Sequence, residues 1–184
     1  MKYTLILLLV IIFTSCGKAF KLQKGTTDTS HIYRLPFKNG TSKFVVQSYN
    51  SSFSHKNNQA IDFKVKTGTT ICAARSGVVI AVRDDSNKRG MKPENMNDWN
   101  YVILEHADGS EAWYGHIKQN AAFVKLGDNI LLGQKIALAG NTGWSMFPHL
   151  HFEVHQPNGN EIPTRFYTKK GVRYLRAGRF YGVK

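Results

Sequence analysis

The chain has 184 residues, enough for one modest domain plus an N-terminal segment, and its 42% hydrophobic and 20% charged content excludes wholesale disorder. Lys and Arg number 25 against 12 Asp and Glu, and the net charge of +13 attracts anionic polymers without choosing among them. No basic helix and no nucleic-acid-binding module accompanies that charge, so nucleic acid is not an expected partner.

Lys2 precedes an apolar run from Leu5 to Phe13. The run is too short to span a bilayer, which takes about 20 residues, and it fits the apolar region of a secretion signal. Phe13-Thr14-Ser15-Cys16 resembles the bacterial lipoprotein processing box. The resemblance implies cleavage before Cys16, a diacylglycerol on its sulfur, and a membrane-anchored envelope protein facing the periplasm or the exterior. Residues 1–15 are then a lipoprotein signal peptide. Residues 16–43, rich in Gly, Thr, Ser and Lys, read as a lipidated tether and leader. With Cys16 acylated, Cys72 has no intrachain partner, and in Thr70-Ile71-Cys72-Ala73-Ala74 it reads as a small buried side chain.

From Phe44 onward the pattern is one of short strands and turn signals, which sets the main domain at residues 44–160. Ala60 to Val65 alternates, and Gly77 to Val82 is a short apolar run. Tyr101 to Glu105 and Glu111 to His116 flank Asp108-Gly109, a hairpin signal. Ile130 to Leu132, Lys135 to Ala139 and Leu150 to His155 follow, separated by Gly- and Asn-containing turns. No helical period of useful length is present, so the expected fold class is all-β. Asp84 to Asn100 reads as a long polar loop, a length that suggests function or mobility. Residues 161–184 form a basic, aromatic C-terminal extension, whose default role is to cover a sheet edge.

The chemistry gathers at His149-Leu150-His151-Phe152-Glu153-Val154-His155. In a strand, alternate side chains share a face, so His149, His151, Glu153 and His155 lie on one side and the apolar residues on the other. Imidazoles at i and i+2 suit one metal ligand beside one proton-transfer group, or two ligands of a single ion. A hydrolytic zinc site needs roughly three protein ligands and an open position. Asp62, inside the apolar stretch Ala60-Ile61-Asp62-Phe63, is costly there unless paired or metal-bound, or bonded to a backbone amide. His55 and His116 are the remaining candidates, the latter ending Trp113-Tyr114-Gly115-His116.

Taken in order, AIDF, GTTICAARSGVV, YGHI, GNTG and HLHFEV resemble the lysostaphin-type, LytM-like zinc endopeptidases of the bacterial cell wall. The resemblance covers about residues 50–160. It implies a small antiparallel fold of two sheets, a sandwich or open barrel with a central groove, acting on peptidoglycan cross-links or stem peptides. It also implies Zn2+ held by His55, Asp62 and His151, with His116 and His149 as catalytic histidines. One departure stands out. The family spaces its first pair as His-x-x-x-Asp, but position 58 is Asn58. His55 lies further from Asp62, and Lys56-Asn57-Asn58-Gln59 reads as a turn that presents it. If it did not, the chain would be a catalytically inactive relative that binds and activates another wall hydrolase. A carrier-type barrel, suggested by the Gly-rich turns of GTTICAARSGVVIAV and KLGDNILLGQKIALAG, lacks the displayed Lys and leaves the histidines unexplained. His106 and His155 are not expected among the ligands of the metal.

Overall fold

The computed structural model describes residues 31–183. The proposed signal peptide, Cys16 and the tether up to residue 30 lie outside the described residues, as does Lys184. The fold is all-β, as expected, and its main sheet grows from runs of alternating or continuous apolar residues.

That sheet is antiparallel and eight-stranded, in the order β10 (Asn129–Ile130), β5 (Gly77–Arg83), β7 (Tyr101–Glu105), β8 (Glu111–Gly115), β13 (His149–His155), β3 (Ile61–Lys64), β2 (Ser42–Gln47) and β16 (Arg179–Gly182). Its central strand, β13, shows why the sequence pattern is legible. Leu150, Phe152 and Val154 are at most 1% exposed and enter the core, while the histidines take the opposite face. The Asp108-Gly109 turn joins β7 to β8, with Glu105 opposite Glu111. A three-stranded antiparallel sheet, β4 (Thr70–Cys72), β11 (Lys135–Ala139) and β9 (Ile117–Ala122), packs nearby.

The ends of the described chain are part of the same body. β1 (Ile32–Arg34) pairs in parallel with β14 (Arg165–Thr168), which pairs with β15 (Gly171–Arg173). Tyr33, Leu35 and Phe37 are buried in the core beside Phe166, Leu175 and Val183. The alternate spacing of Tyr33, Leu35 and Phe37 is a strand period hidden in a segment whose composition suggested a leader. β16 covers β2, the edge-covering role expected of the C-terminal extension. The long 84–100 segment is partly ordered by β6 (Arg89–Gly90), which pairs in parallel with β12 (Gly143–Trp144), and by a 3-10 helix at Pro93–Asp98.

Tyr114 links the main sheet to the β4 region, since its buried hydroxyl accepts the Ala74 backbone N–H at 2.8 Å. Tyr114→Phe strands that N–H in the core. The expected loss is about 1–3 kcal/mol, read as a lower denaturant midpoint.

Candidate metal centre

Asp62 on β3 faces His151 on β13 in register, which places a carboxylate and an imidazole side by side on the face opposite the core. His151 Nδ1 lies 3.0 Å from Asp62 Oδ1. The 50–59 turn delivers the third group. Asn50 N donates to Asn58 O and Asn58 N to His55 O, folding the segment back on itself. His55 is 3% exposed, with Nε2 3.2 Å from Asp62 Oδ2. The wider spacing to Asp62 is thus absorbed in a closed turn, and His55, Asp62 and His151 converge with ligand atoms within 4.8 Å of one another.

Hydrogen bonding fixes which ring nitrogen faces inward. His55 Nδ1 meets the Ala60 carbonyl at 3.1 Å. A carbonyl only accepts, so Nδ1 donates there and Nε2 is the nitrogen that faces Asp62. His151 is the reverse. Its Nε2 meets Glu153 Oε2 at 3.0 Å, so Nε2 donates and Nδ1 turns toward Asp62. Two imidazole nitrogens, His55 Nε2 and His151 Nδ1, thus converge on one carboxylate. Without their protons these nitrogens offer lone pairs to a cation among the three, and two nitrogens with one oxygen suit zinc. The residues present therefore fit such a metal.

Protons respond to the same field. Burial disfavours the charged form of Asp62, but its hydrogen bonds to His151 and His55 outweigh this and hold its carboxyl well below the usual range. Burial alone would lower His151, but the Asp62 and Glu153 carboxylates overcome it and raise this imidazole to about 10. Without a metal, His151 therefore holds the cation as a proton on Nδ1.

Two further histidines stand beside the three. His116 Nδ1 donates to Thr142 O at 2.6 Å, and His149 Nδ1 to Phe147 O at 2.8 Å. Their Nε2 atoms are free of such bonds, and the ring centroids lie 4.4 Å apart. His149 Nε2 is 3.7 Å from Asp62 Oδ1. Burial, then the neighbouring His149 and His151, push His116 down to about 3, and burial also lowers His149. Both are neutral bases at pH 7. His116 has φ 59, left-handed backbone that aims its ring into the site from the end of β8.

These groups line an open groove of about 460 Å³. Exposed Phe53, Met91, Met96 and Met146 form its apolar rim. Two residues of the centre, Gln47 and Trp99, carry no motif that sequence reasoning could use, and a third, Glu153, was placed only by its face. Gln47 donates to Asp62 Oδ2 at 2.8 Å and accepts Ser54 N, tying the carboxylate to the turn before His55. Trp99 packs within 6.0 Å of His116 and His151, filling space left by Gly115 and Gly143. Glu153 also meets His155 Nε2 at 3.0 Å, so His155 stands one carboxylate away from the centre. Of the two other histidines, neither lines the groove: His106 is buried against the Ser76 carbonyl, and His31 precedes β1.

Residues 56–163 match peptidase family M23. The chain belongs to peptidase family M23. The matched stretch includes Asp62, His116, His149 and His151 and begins one residue after His55. An uncharacterized metalloprotease of Buchnera aphidicola is 31% identical over 147 residues, 77% of this chain. The peptidoglycan DD-endopeptidase ShyA of Vibrio cholerae is 32% identical over 93 residues, 50% of this chain. Both relatives are much longer, and the aligned stretches span 35% and 19% of them. A zinc-containing peptidase from Vibrio cholerae superposes with a TM-score of 0.55 at 29% identity, covering 72% of this M23 chain and 38% of the other.

Proposed function

We propose that this M23 chain is a zinc-dependent endopeptidase that hydrolyses peptide cross-links or stem peptides of peptidoglycan. The observation that carries the reading is the convergence of two imidazole nitrogens on Asp62, in an open groove, with two neutral imidazoles alongside. The relatives named a DD-endopeptidase and a zinc-containing peptidase support the substrate class and the metal. The intact set of five residues weighs against an inactive, purely regulatory chain.

His55 through Nε2, Asp62, and His151 through Nδ1 would hold the metal, which supplies Lewis acidity to the scissile carbonyl and to water. Asp62 brings the single negative charge of the set. Glu153 holds His151 in the ligating tautomer by accepting Nε2–H. His116 and His149, neutral and with Nε2 facing the groove, take the proton of the attacking water and return one to the leaving amine. Once protonated, either Nε2–H can also donate to the oxyanion. Mass spectrometry of defined cross-linked muropeptides tests the reading. Cleavage at a peptide bond is expected, and intact muropeptides at every metal loading overturn it.

Metal binding carries a pH signature. His151 raised to about 10 is protonated at pH 7, and ligation needs its Nδ1 lone pair. Loading therefore expels a proton, and affinity strengthens as pH rises from 6 to 8, by about tenfold per unit for one proton displaced. Competition titration against a chromophoric chelator at several pH values measures the slope.

The proposal extends to an envelope location, with the chain anchored through a lipid on Cys16. Its support is Lys2, the Leu5–Phe13 run and Thr14-Ser15-Cys16. Cys16→Ala is expected to abolish labelling by radioactive palmitate and to release the protein from the membrane fraction. Undiminished labelling would remove the anchor from the proposal.

A further inference from the structure

The face that carries the metal centre does not end at the groove. His149 on β13 lies opposite Lys64 on β3, Lys64 opposite Phe44 on β2, and Phe44 opposite Phe180 on β16. Lys64 follows Asp62 by two positions, so it shares the face of the metal centre. Adjacent strands lie about 4.8 Å apart, so this row runs roughly 14 Å from His149 to the sheet edge.

The side chains along the row are unusual for a surface. Phe180 is 71% exposed, and its ring lies 5.0 Å from that of Phe44. The Lys64 ammonium sits 5.8 Å over the ring of Phe147, a residue that lines the groove. Lys64 is exposed and has no acidic partner among the described residues, and the groove's only carboxylate is Asp62, engaged by histidines. A cation is therefore held at the mouth of the site, one strand from His149, with no anion to meet it.

We propose that Lys64, with the Phe44–Phe180 platform beyond it, is a substrate subsite that takes a free carboxylate of the peptide within about two residues of the scissile bond. The inference rests on the wall-peptide endopeptidase reading and adds a charge preference to it. An extended peptide leaving His149 along this row advances about 3.3 Å per residue, so about four residues cover it. Lys64 meets the carboxylate, and the two rings accept the apolar atoms of the adjoining segment. The bland alternative is that Lys64 only shields the Phe147 ring, which predicts no preference between substrates.

The test uses matched wall peptides whose free carboxylate is either intact or converted to a carboxamide. The parent protein is expected to show a lower KM for the carboxylate form. Lys64→Met keeps the apolar stem and removes the charge. It should raise KM for the carboxylate peptide roughly fivefold, the scale of a partly exposed ion pair, with kcat unchanged and the carboxamide peptide unaffected. Phe180→Ser should raise KM for peptides long enough to reach the edge, whatever their charge. Equal KM for the two peptides in the parent, or equal losses in Lys64→Met, overturns the subsite. Calorimetric binding of both peptides in chelator, where hydrolysis is off, separates the two readings. A carboxylate preference without cleavage at any metal loading keeps the subsite and removes the endopeptidase. Cleavage without preference does the reverse.

Discussion

His151→Ala is expected to yield a folded chain that retains no stoichiometric zinc and cleaves no muropeptide. The substitution removes one of the two imidazole nitrogens that meet Asp62. It also frees Glu153, whose carboxylate is held below its usual range against the pull of burial by hydrogen bonds from His151 and His155. The remaining donors, His55 Nε2 and one carboxylate, are too few for a tetrahedral site with a single open position. Metal content by mass spectrometry and a muropeptide digest read the two halves of the prediction. Full activity in this variant would sink the metal-centre assignment. Circular dichroism guards against the trivial outcome, because His151 faces the groove and the core side of β13 is unchanged.

His149→Ala and His116→Ala should behave differently from that variant and like each other. Neither imidazole belongs to the converging trio, so each variant should bind close to one zinc per chain. Each loses a base aimed at the groove, and general acid–base groups of this kind contribute about 10²–10⁴ in rate. The expected result is a fall of that size in kcat with KM little changed. Loss of metal from either variant would move that histidine into the ligand set. Unchanged turnover would remove it from the reaction.

How much of this could be read from the chain depends on the range of the interaction. The His149–His155 strand was legible because its period of two is local: Leu150, Phe152 and Val154 declare the core side, and the histidines must then share the other. The Asp108-Gly109 hairpin was legible for the same reason. The approach of His55 to Asp62 was legible only as a turn over residues 56–59, because its geometry depends on backbone bonds between Asn50 and Asn58 and on Gln47 reaching from β2. Glu153 was placed on the correct face, yet its bond to His151 Nε2 becomes visible only when rotamers are known. Tyr33, Leu35 and Phe37 were masked by polar neighbours, since β1 forms only through pairing with β14, more than a hundred residues later.

The left-handed backbone at His116 carries a cost that folding alone does not repay. A side chain with a Cβ pays roughly 1 kcal/mol or more to stay at positive φ. Here the strain turns the ring into the groove, with its inner nitrogen facing the reaction space. Selection for folding alone would favour glycine or asparagine at such a position. On the proposed reaction, a chain with glycine or asparagine at this position would keep the strand and lose the base.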